Sequence, residues 1–241
     1  MINDYNMILD SHDSFNLSLK NSYEPIETEL IKQKIKNDDV VIDVGSNIGY
    51  YTLLFASKIG PQGHVFSFEP APENSKILKS NVALNNFQNV TVEEFAVSNK
   101  SGKVDLYLAD EGIGQHRIHE SRFGKSSISV KMISIDEYLS EKSQKIDFVK
   151  IDVEGAEYDV LKGMENILNV NPSIELLLEF NPINLIEHGS DPKEFLDFLK
   201  QKNFKLFQIN KITNQFEIIT LIDELLSLDH SENIFCTRND F

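Results

Sequence analysis

A strand, a glycine turn and the start of a helix follow one another at residues 40–52, which read V-V-I-D-V-G-S-N-I-G-Y-Y-T. The β-branched run is interrupted only by Asp43. A strand that leads through glycines into a helix opens a βαβ unit, which binds its ligand at that junction. Glycine lets backbone approach a ligand closely because it has no Cβ. The turn residues that we expect to contact the ligand are Gly45, Ser46, Asn47 and Gly49.

The charge of Asp43 narrows the class of ligand. The dinucleotide pattern G-x-G-x-x-G fails because Asn47 and Tyr50 stand where glycines are needed, and no Lys follows Gly49 as a phosphate loop requires. A carboxylate repels a pyrophosphate and attracts an ammonium group, most strongly where the dielectric constant is low. We therefore expect a cationic ligand without phosphates, such as S-adenosylmethionine. The alternative is an ordinary strand-to-helix turn in another α/β protein.

A second acidic residue follows the next apolar segment, H-V-F-S-F. This residue is Glu69, at about the distance past the glycine turn where a carboxylate accepts from ribose hydroxyl groups. An ionised carboxylate has enough acceptor sites for both the 2′- and 3′-hydroxyl groups. Pro70 ends the strand, and Asn74 is near enough to reach the ribose or the adenine, so both join Glu69 as cofactor-binding candidates. The alternative for Glu69 is a solvated strand end.

Asp152 and Glu154 follow the apolar segment F-V-K-I. Ligands of an open α/β sheet bind outside the carboxyl ends of its strands, so these carboxylates are expected beside the first strand. They can deprotonate an acceptor hydroxyl, orient it, or hold a divalent ion, although the sequence does not require an ion. Lys150 can pair with one of them and weaken it as a base, and Glu179 can join them from the next strand. The alternative is that Asp152 caps the helix that begins near Glu157.

The chain contains, in this order, V-I-D-V-G-S-N-I-G-Y-Y-T, F-S-F-E-P-A-P-E-N, F-A-V-S-N, I-D-E-Y-L and V-K-I-D-V-E-G-A-E-Y-D-V-L-K-G-M. This ordered set resembles the FkbM-type methyltransferases, which are class I S-adenosylmethionine-dependent enzymes. The resemblance covers about residues 23–182 and is weaker beyond them. It implies that the adenine lies near Ala96, with Glu94 a candidate partner for its amino group, and that Tyr23 lies over the methionine end of the cofactor. The alternatives are a core position for Ala96 and a hydrophobic staple for Tyr23.

Two alternating segments at 103–108 and 126–133 are typical of a β-hairpin, and residues 109–125 lie between them. A loop of this length is often a lid or a binding loop, so we expect it to cover the acceptor substrate. His116 in this loop can act as a general base because its ordinary pKa suits neutral pH. Small polar residues are usual here in the resembled family, so His116 is a departure, and a solvated loop histidine is the alternative.

Length and charge limit the class of protein. The chain has 241 residues, which suits one α/β domain, and a net charge of −15, which repels a nucleic-acid backbone. No apolar stretch reaches the length of a membrane span, and the N-terminus lacks the features of a signal peptide. The single cysteine, Cys236, excludes an intramolecular disulfide. We expect a cytoplasmic protein with a small-molecule or glycan acceptor, without a nucleic-acid partner or a membrane span, and a homo-oligomer is compatible with the sequence.

The sequence therefore predicts one methyltransferase domain over residues 1–241, with an N-terminal arm and helix at 1–38 and a catalytic α/β core at 39–241. The predicted fold is Rossmann-like: a seven-stranded, mostly parallel sheet with one antiparallel strand, helices on both faces and an extra β-hairpin. The predicted reaction is O-methylation of a hydroxyl group on a sugar, polyketide or other small molecule, with Asp152, Glu154 and His116 as catalytic candidates. The alternatives are a non-catalytic cofactor-binding module of the same fold and, less favoured, a dinucleotide-dependent oxidoreductase.

Overall fold

The computed structural model describes residues 5–11, 13, 16–20, 22–108, 116–118, 126–141, 145–210 and 213–240. In chain order the elements are α1 (Pro25–Lys34), β1 (Val40–Val44), α2 (Tyr50–Ile59), β2 (His64–Phe68), α3 (Pro72–Leu84), β3 (Val90–Glu93), β4 (Phe95–Val97), β5 (Gly102–Leu108), β6 (Ser126–Ile133), α4 (Ile135–Tyr138), β7 (Phe148–Ile151), α5 (Glu157–Lys162), α6 (Glu165–Val170), β8 (Glu175–Phe180), α7 (Pro182–His188), α8 (Pro192–Gln201), β9 (Lys205–Asn210), β10 (Gln215–Ile218), α9 (Ile222–Leu226) and β11 (Glu232–Thr237). Among these residues, no helix combines the length and the apolar character that crossing a bilayer requires.

The main sheet has eight strands in the order β10-β9-β11-β8-β7-β1-β2-β3. Parallel pairing runs from β3 through β2, β1 and β7 to β8. β11 is antiparallel to both β8 and β9, and β10 is antiparallel to β9. The predicted α/β class is confirmed. The predicted strand number was wrong by one, because β10 folds back on β9 as a hairpin and adds an eighth strand, the second that is antiparallel to the rest.

The side chains of β1 alternate between the two faces of the sheet, and all five of its residues are buried. Ile42 and Val44 pack into the hydrophobic cluster that includes α5 and α6, whereas Val41 packs into the cluster that includes α1 and α2. A strand covered on both faces is the usual centre of a parallel sheet. The alternation places Asp43 on the same face as Val41, under the first turn of α2.

Residues 90–97 read as one strand in the sequence but form two strands, β3 and β4, that join different sheets. β3 pairs with β2, whereas β4 pairs with β6 in a separate sheet of three strands, β4-β6-β5. β5 and β6 form the predicted hairpin. Glu94 lies between β3 and β4, and its Oε1 accepts from Ser75 Oγ and Lys79 Nζ, both at 2.7 Å. The break at Glu94 lets β4 leave the main sheet and carry Ala96 to the hairpin.

The helix expected to begin near Glu157 is interrupted between α5 and α6. Gly163 is the C-cap of α5, and a Cβ at this position would lie 2.0 Å from the backbone oxygen of Ser98. The backbone at Gly163 therefore packs directly against the segment after β4. A larger residue would not fit there, and the helix ends at this glycine.

Candidate functional site

A cavity of about 310 Å³ lies at the carboxyl ends of β1, β2, β7 and β8. Open α/β sheets bind their ligands at this edge, and the volume is that of a small-molecule site. The predicted site residues that line the cavity are Asp43, Gly45, Ser46, Asn47, Glu69, Pro70, Asn74, Ala96, His116, Asp152 and Glu154. Gly49 and Glu94 are the predicted contacts that are absent from the lining.

Asp43 lines the cavity from β1 and is 1% exposed. Its Oδ2 accepts a hydrogen bond from Thr52 Oγ1 at 2.6 Å, and its Oδ1 is buried without a hydrogen-bond partner among the described residues. Burial raises the pKa of Asp43, and Lys150, its register partner on β7, opposes that rise. A buried acceptor without a donor is costly. The free lone pairs of Asp43 therefore suit a donor on a ligand, such as an ammonium group.

The two glycines of the turn allow close packing within the chain. Gly45 has a φ of 81°, and a Cβ on it would lie 1.8 Å from the backbone oxygen of Asp152. Gly49 has a φ of 96° and is the N-cap of α2, and a Cβ there would lie 2.5 Å from Leu78 Cδ1 on α3. The close approach that these glycines permit is to the residue after β7 and to α3, and Gly45 also lines the cavity, where its predicted contact with the ligand stays a prediction.

Glu69 is held in place by two backbone amides. Its Oε2 accepts from Asn47 N at 2.8 Å, and its Oε1 accepts from Ala71 N at 2.9 Å. Burial raises the pKa of Glu69 to about 7, although these two amides oppose the rise. Glu69 is 5% exposed, so the alternative of a solvated strand end is wrong. A side-chain hydrogen bond from Asn74 also lowers the pKa of Glu69, and an ionised carboxylate with about four acceptor sites still has capacity for a ligand hydroxyl group.

An apolar wall of the cavity adjoins this carboxylate. Its residues include Pro70, Ala96, Leu106 on β5 and Ile118 from the insertion in the hairpin. Ala96 and Leu106 also belong to the buried core of the small sheet, so the wall is rigid. Such a surface suits the flat face of a nucleobase. Glu94 is outside the cavity lining and bonded to α3, so its predicted contact with the adenine amine is wrong.

Three carboxylates meet where β7 and β8 end. Asp152, Glu154 and Glu179 each offer an oxygen within 4.8 Å of the others. Burial, and then repulsion from Asp152, raise the pKa of Glu154 to about 7. The same two causes raise the pKa of Glu179 well above its usual value, and Glu179 Oε2 is buried without a hydrogen-bond partner among the described residues. This end of the cavity can therefore accept protons near neutral pH.

Two buried cations compensate part of this negative charge. Lys150 Nζ donates to Asp152 Oδ2 at 2.8 Å and lies 4.7 Å from the centre of the Tyr51 ring. Burial alone would lower the pKa of Lys150, but attraction to Asp152 and to other carboxylates raises it. Arg117 donates to Glu154 Oε2 at 3.3 Å and to Glu187 Oε2 on α7 at 3.1 Å. The predicted pairing of Lys150 is confirmed.

The side chain of Asp152 does not cap the following helix. The N-cap of α5 is Ala156, which has no side-chain cap. The free amides of the preceding turn are instead satisfied by Glu157, whose Oε1 accepts from Val153 N and Gly155 N, both at 3.1 Å. Asp152 therefore faces the cavity with its carboxylate.

Glu154 has a φ of 55°, in the left-handed region that favours glycine. This conformation costs about 1–2 kcal/mol for a residue with a Cβ. It is held by Arg117 and by Asn184, whose Nδ2 donates to Glu154 Oε2 at 3.1 Å. Backbone strain of this kind is typical of functional sites, where the surroundings fix one side chain in a required position.

His116 lines the cavity from residues 116–118, which lie against β5. The next residue, Arg117, exchanges backbone hydrogen bonds with Tyr107 at 2.7 and 3.1 Å and so fixes this short segment. Burial lowers the pKa of His116, and Glu73 on α3 opposes that effect. Residues 109–115 and 119–125 lie outside the described residues, so the cover that they were expected to form over the acceptor stays a prediction.

Tyr23 lines the cavity from the segment before α1. Its backbone N donates to Tyr50 Oη at 3.0 Å, and its ring centre lies 5.7 Å from that of Tyr50 and 6.4 Å from that of Tyr51. Burial, and then the charge of Glu24, raise the pKa of Tyr23, so its hydroxyl is neutral at physiological pH. The two tyrosines that open α2 thus hold Tyr23 at the cavity, and its contact with the methionine end of the cofactor stays a prediction.

Several side chains of the site were missed in the sequence. The sequence Y-Y-T at the start of α2 did indicate some of these contacts. The hydroxyl of Thr52 bonds to Asp43, and the hydroxyl groups of the two tyrosines bond to the segment before α1. The contacts of Arg117 and Asn184 with Glu154 had no such signal, because they depend on how the hairpin and α7 pack against β7.

The chain matches the methyltransferase FkbM domain over residues 43–206. It is 31% identical over 191 residues to the hexuronic acid methyltransferase AglP of Haloferax volcanii, covering 79% of this chain and 73% of that protein. It is 25% identical over 190 residues to the 2-O-methyltransferase NoeI of Sinorhizobium fredii, covering 72% and 76%. A Streptococcus mutans protein described as a methyltransferase, in complex with SAH, has a similar fold, with a TM-score of 0.52 and 10% identity over 88% of this chain and 96% of that one.

Proposed function

Because the chain belongs to the FkbM family of S-adenosylmethionine-dependent methyltransferases, we propose that it methylates a hydroxyl oxygen of a sugar. The observation that carries this proposal is the arrangement of one cavity, with Asp43 and Glu69 on the side of the glycine turn and Asp152, Glu154 and Glu179 on the other side. The first pair suits a cationic nucleoside, and the second group suits removal of a hydroxyl proton.

The cofactor end fits S-adenosylmethionine by the groups that it offers. Glu69 would accept from the ribose hydroxyl groups, and the wall with Ala96 and Leu106 would contact the adenine. The buried Oδ1 of Asp43 would accept from the ammonium group, which would satisfy an acceptor that has no donor among the described residues. The bound cofactor supplies an electrophilic methyl group on a sulfonium.

Glu154 is the general base of the proposed reaction. Its pKa of about 7 lets it accept a proton near neutral pH, which is where a general base works best. Asp152 is engaged by Lys150 at 2.8 Å, so it is better suited to orient the acceptor than to deprotonate it. Glu154 would take the proton of the acceptor hydroxyl, whose oxygen would receive the methyl group that the bound cofactor supplies. Holding the acceptor in line with the methyl group supplies most of the remaining rate enhancement.

His116 is a weaker candidate for the base. The charged group that perturbs its pKa is Glu73, on α3, rather than Asp152 or Glu154. It borders the same cavity, so we propose that it contacts the cofactor or the acceptor without removing the proton.

The positive charge at the acceptor end comes from Lys150 and Arg117, so the proposed mechanism needs no divalent ion. The oxygens of Asp152, Glu154 and Glu179 have the spacing to bind one, which makes the metal dependence a direct test. Turnover after treatment with a chelator should equal turnover with added Mg²⁺, and a loss that Mg²⁺ restores would replace the general-base mechanism with a metal-assisted one.

A sugar acceptor is favoured by the two relatives named above, which are described as a hexuronic acid methyltransferase and a 2-O-methyltransferase. A net charge of −15 disfavours an RNA acceptor, because a phosphate backbone would be repelled. We infer a hydroxylated small molecule or glycan instead of a polynucleotide.

The proposal is tested by incubating the protein with S-adenosylmethionine labelled in its methyl group and a panel of neutral, uronic and amino sugars and glycans. The expected product is a methyl ether, located on oxygen by NMR. Transfer to nitrogen would refute O-methylation. Tight binding of S-adenosylmethionine without transfer to any acceptor of the panel would support a non-catalytic module, and tight binding of NAD would favour an oxidoreductase.

A further inference from the structure

Two asparagines on α3 bind the N-terminal arm, which is defined here as residues 5–11. Asn81 Oδ1 accepts from Ile8 N at 2.6 Å, and its Nδ2 donates to Ile8 O at 3.0 Å. Asn85 pairs in the same way with Asn6, at 3.0 Å for the N–H and 2.7 Å for the carbonyl. Asn81 and Asn85 are four residues apart on a helix, which is a rise of about 6 Å. Asn6 and Ile8 are two residues apart in extended chain, a distance of about 6.6 Å, so the two spacings match.

Asn81 makes one bond that Asn85 does not make. The amide of Asn81 also donates to Ile48 O, at 2.8 Å, whereas the second donor of Asn85 goes to the backbone of its own helix. Ile48 belongs to the glycine turn and follows Asn47, whose N–H holds Glu69 in place. Asn81 and Ile48 are both fully buried, so water does not compete for this bond.

We propose that Asn81 is a positioning residue for binding of S-adenosylmethionine. Its side-chain amide fixes Ile48 and therefore the turn that presents Asn47 to Glu69. The orientation of that amide is fixed in turn by Ile8, which occupies its oxygen and one of its two N–H groups. The N-terminal arm is thus part of the cofactor site, although none of its residues lines the cavity. This inference rests on the cofactor named above.

Other contacts of the arm lead to the same region. Tyr5 Oη and Ser57 Oγ on α2 are 2.8 Å apart, and Tyr5 and Met7 pack against the buried cluster of Leu53, Leu78 and Val82. Docking of the arm and ordering of the turn are therefore linked through α2 and α3. Such a linkage is reciprocal: if the docked arm raises cofactor affinity by some factor, the cofactor raises arm docking by the same factor.

The experiment compares two variants of the full chain by calorimetric titration with S-adenosylmethionine. Asn81→Ala should raise the Kd about five- to tenfold, the effect of losing one ordinary hydrogen bond. Asn85→Ala is the matched comparison, because it loses its bonds to the arm but leaves the contact with Ile48 intact, so it reports the contribution of arm docking alone and its Kd should rise by no more than about twofold. Unchanged affinity in Asn81→Ala, or equal weakening in both variants, would overturn the inference.

A second measurement uses the unaltered protein and so does not depend on how a variant folds. Saturation with S-adenosylmethionine should slow hydrogen exchange at the amide of Ile8, while the amide of Lys193 on α8, which is bonded to Asp191, should exchange at an unchanged rate. Equal exchange of Ile8 with and without cofactor would overturn the inference even if Asn81→Ala does not fold. A protein that binds no S-adenosylmethionine at all would instead refute the proposed function.

Discussion

Replacing Asp43 with asparagine separates its predicted role in cofactor binding from any role in folding. The change keeps the shape of the side chain. In the unaltered protein Thr52 Oγ1 donates to Asp43 Oδ2 at 2.6 Å, and the amide oxygen of asparagine can accept the same bond. It removes the charge and replaces the unpartnered Oδ1 with an N–H donor, which cannot accept from an ammonium group. We expect weaker cofactor binding without loss of stability.

The sign of the stability effect follows from the pKa of Asp43. Burial raises the pKa of Asp43 in the folded protein above its value in the unfolded chain. The carboxyl group therefore contributes its full stabilisation only at a pH below the unfolded pKa, and this stabilisation is lost as the pH rises through the folded pKa. When it is ionised, Asp43 therefore weakens the folded state relative to a neutral amide. Asp43→Asn should leave the free energy of unfolding unchanged or higher at pH 7, whereas removing a structural hydrogen bond would lower it by about 1 kcal/mol.

The affinity effect follows from the difference between a charged and a neutral hydrogen bond. That difference is about 1–2 kcal/mol, which corresponds to a roughly 5- to 30-fold increase in the Kd of S-adenosylmethionine. Titration calorimetry should be run with S-adenosylmethionine and with S-adenosylhomocysteine, which keeps the ammonium group but has no sulfonium. Equal losses for both ligands would place Asp43 at the ammonium group, and a loss for S-adenosylmethionine alone would place it at the sulfonium.

Asp147→Asn is the matched control, because it removes the same charge from the start of β7, where Asp147 Oδ2 accepts from Val40 N at 3.1 Å. This position is at the opposite end of the strand from the cavity, so its affinity for the cofactor should stay within about twofold of the unaltered protein. If Asp43→Asn binds S-adenosylmethionine as tightly as Asp147→Asn does, the electrostatic reasoning about Asp43 is refuted.

Three further changes test other parts of the site. Asp152→Asn should lower single-turnover methyl transfer by about 100-fold or more while calorimetry gives a cofactor Kd within about twofold of the original, because the residue orients the acceptor. Gly45→Ala should lower the free energy of unfolding in urea by at least about 2 kcal/mol, because its Cβ would lie 1.8 Å from the backbone oxygen of Asp152. The pKa of Glu69, which burial raises to about 7, predicts that affinity for S-adenosylmethionine increases as the pH rises through that value, since the group must lose its proton to accept from two hydroxyl groups. Glu69→Gln should bind more weakly and show no such pH dependence between about pH 6 and 8.

The parts of the site that the sequence predicted well are those that one short segment determines. The strand ends that carry Asp43, Glu69 and Asp152 were located because a parallel sheet places all its carboxyl ends at one edge. Local sequence also signals the backbone of the turn, where Gly45 adopts a positive φ. What it does not reveal is the neighbour that requires the glycine, because the backbone of Asp152 is more than a hundred residues away in the chain.

The predictions that were wrong depended on register or on distant packing. Glu94 was expected near the adenine because residues 90–97 read as one strand, and a break at that residue turns its side chain toward α3. The sequence indicates a strand at 216–219, but the sheet was counted as seven strands, because β10 has no fully buried residue and its pattern carries little hydrophobic signal. Arg117 looked like a loop cation, and only the pairing of its backbone with Tyr107 brings its side chain to Glu154.

The charge pattern of the acceptor end explains why one carboxylate, rather than three, is expected to accept the proton. If Asp152, Glu154 and Glu179 were all ionised within 4.8 Å of one another, their repulsion would destabilise the fold, so the protein must pair or protonate them. Lys150 pairs with Asp152, while burial and the charge of Asp152 raise the pKa of Glu179 well above its usual value and so favour its protonated form. Glu154 is intermediate between a paired, ionised carboxylate and a protonated one. Burial raises its pKa to about 7, and Arg117, 3.3 Å away, opposes that rise. A group that is half ionised at neutral pH can both take the acceptor proton and release it to water, which a turnover cycle requires.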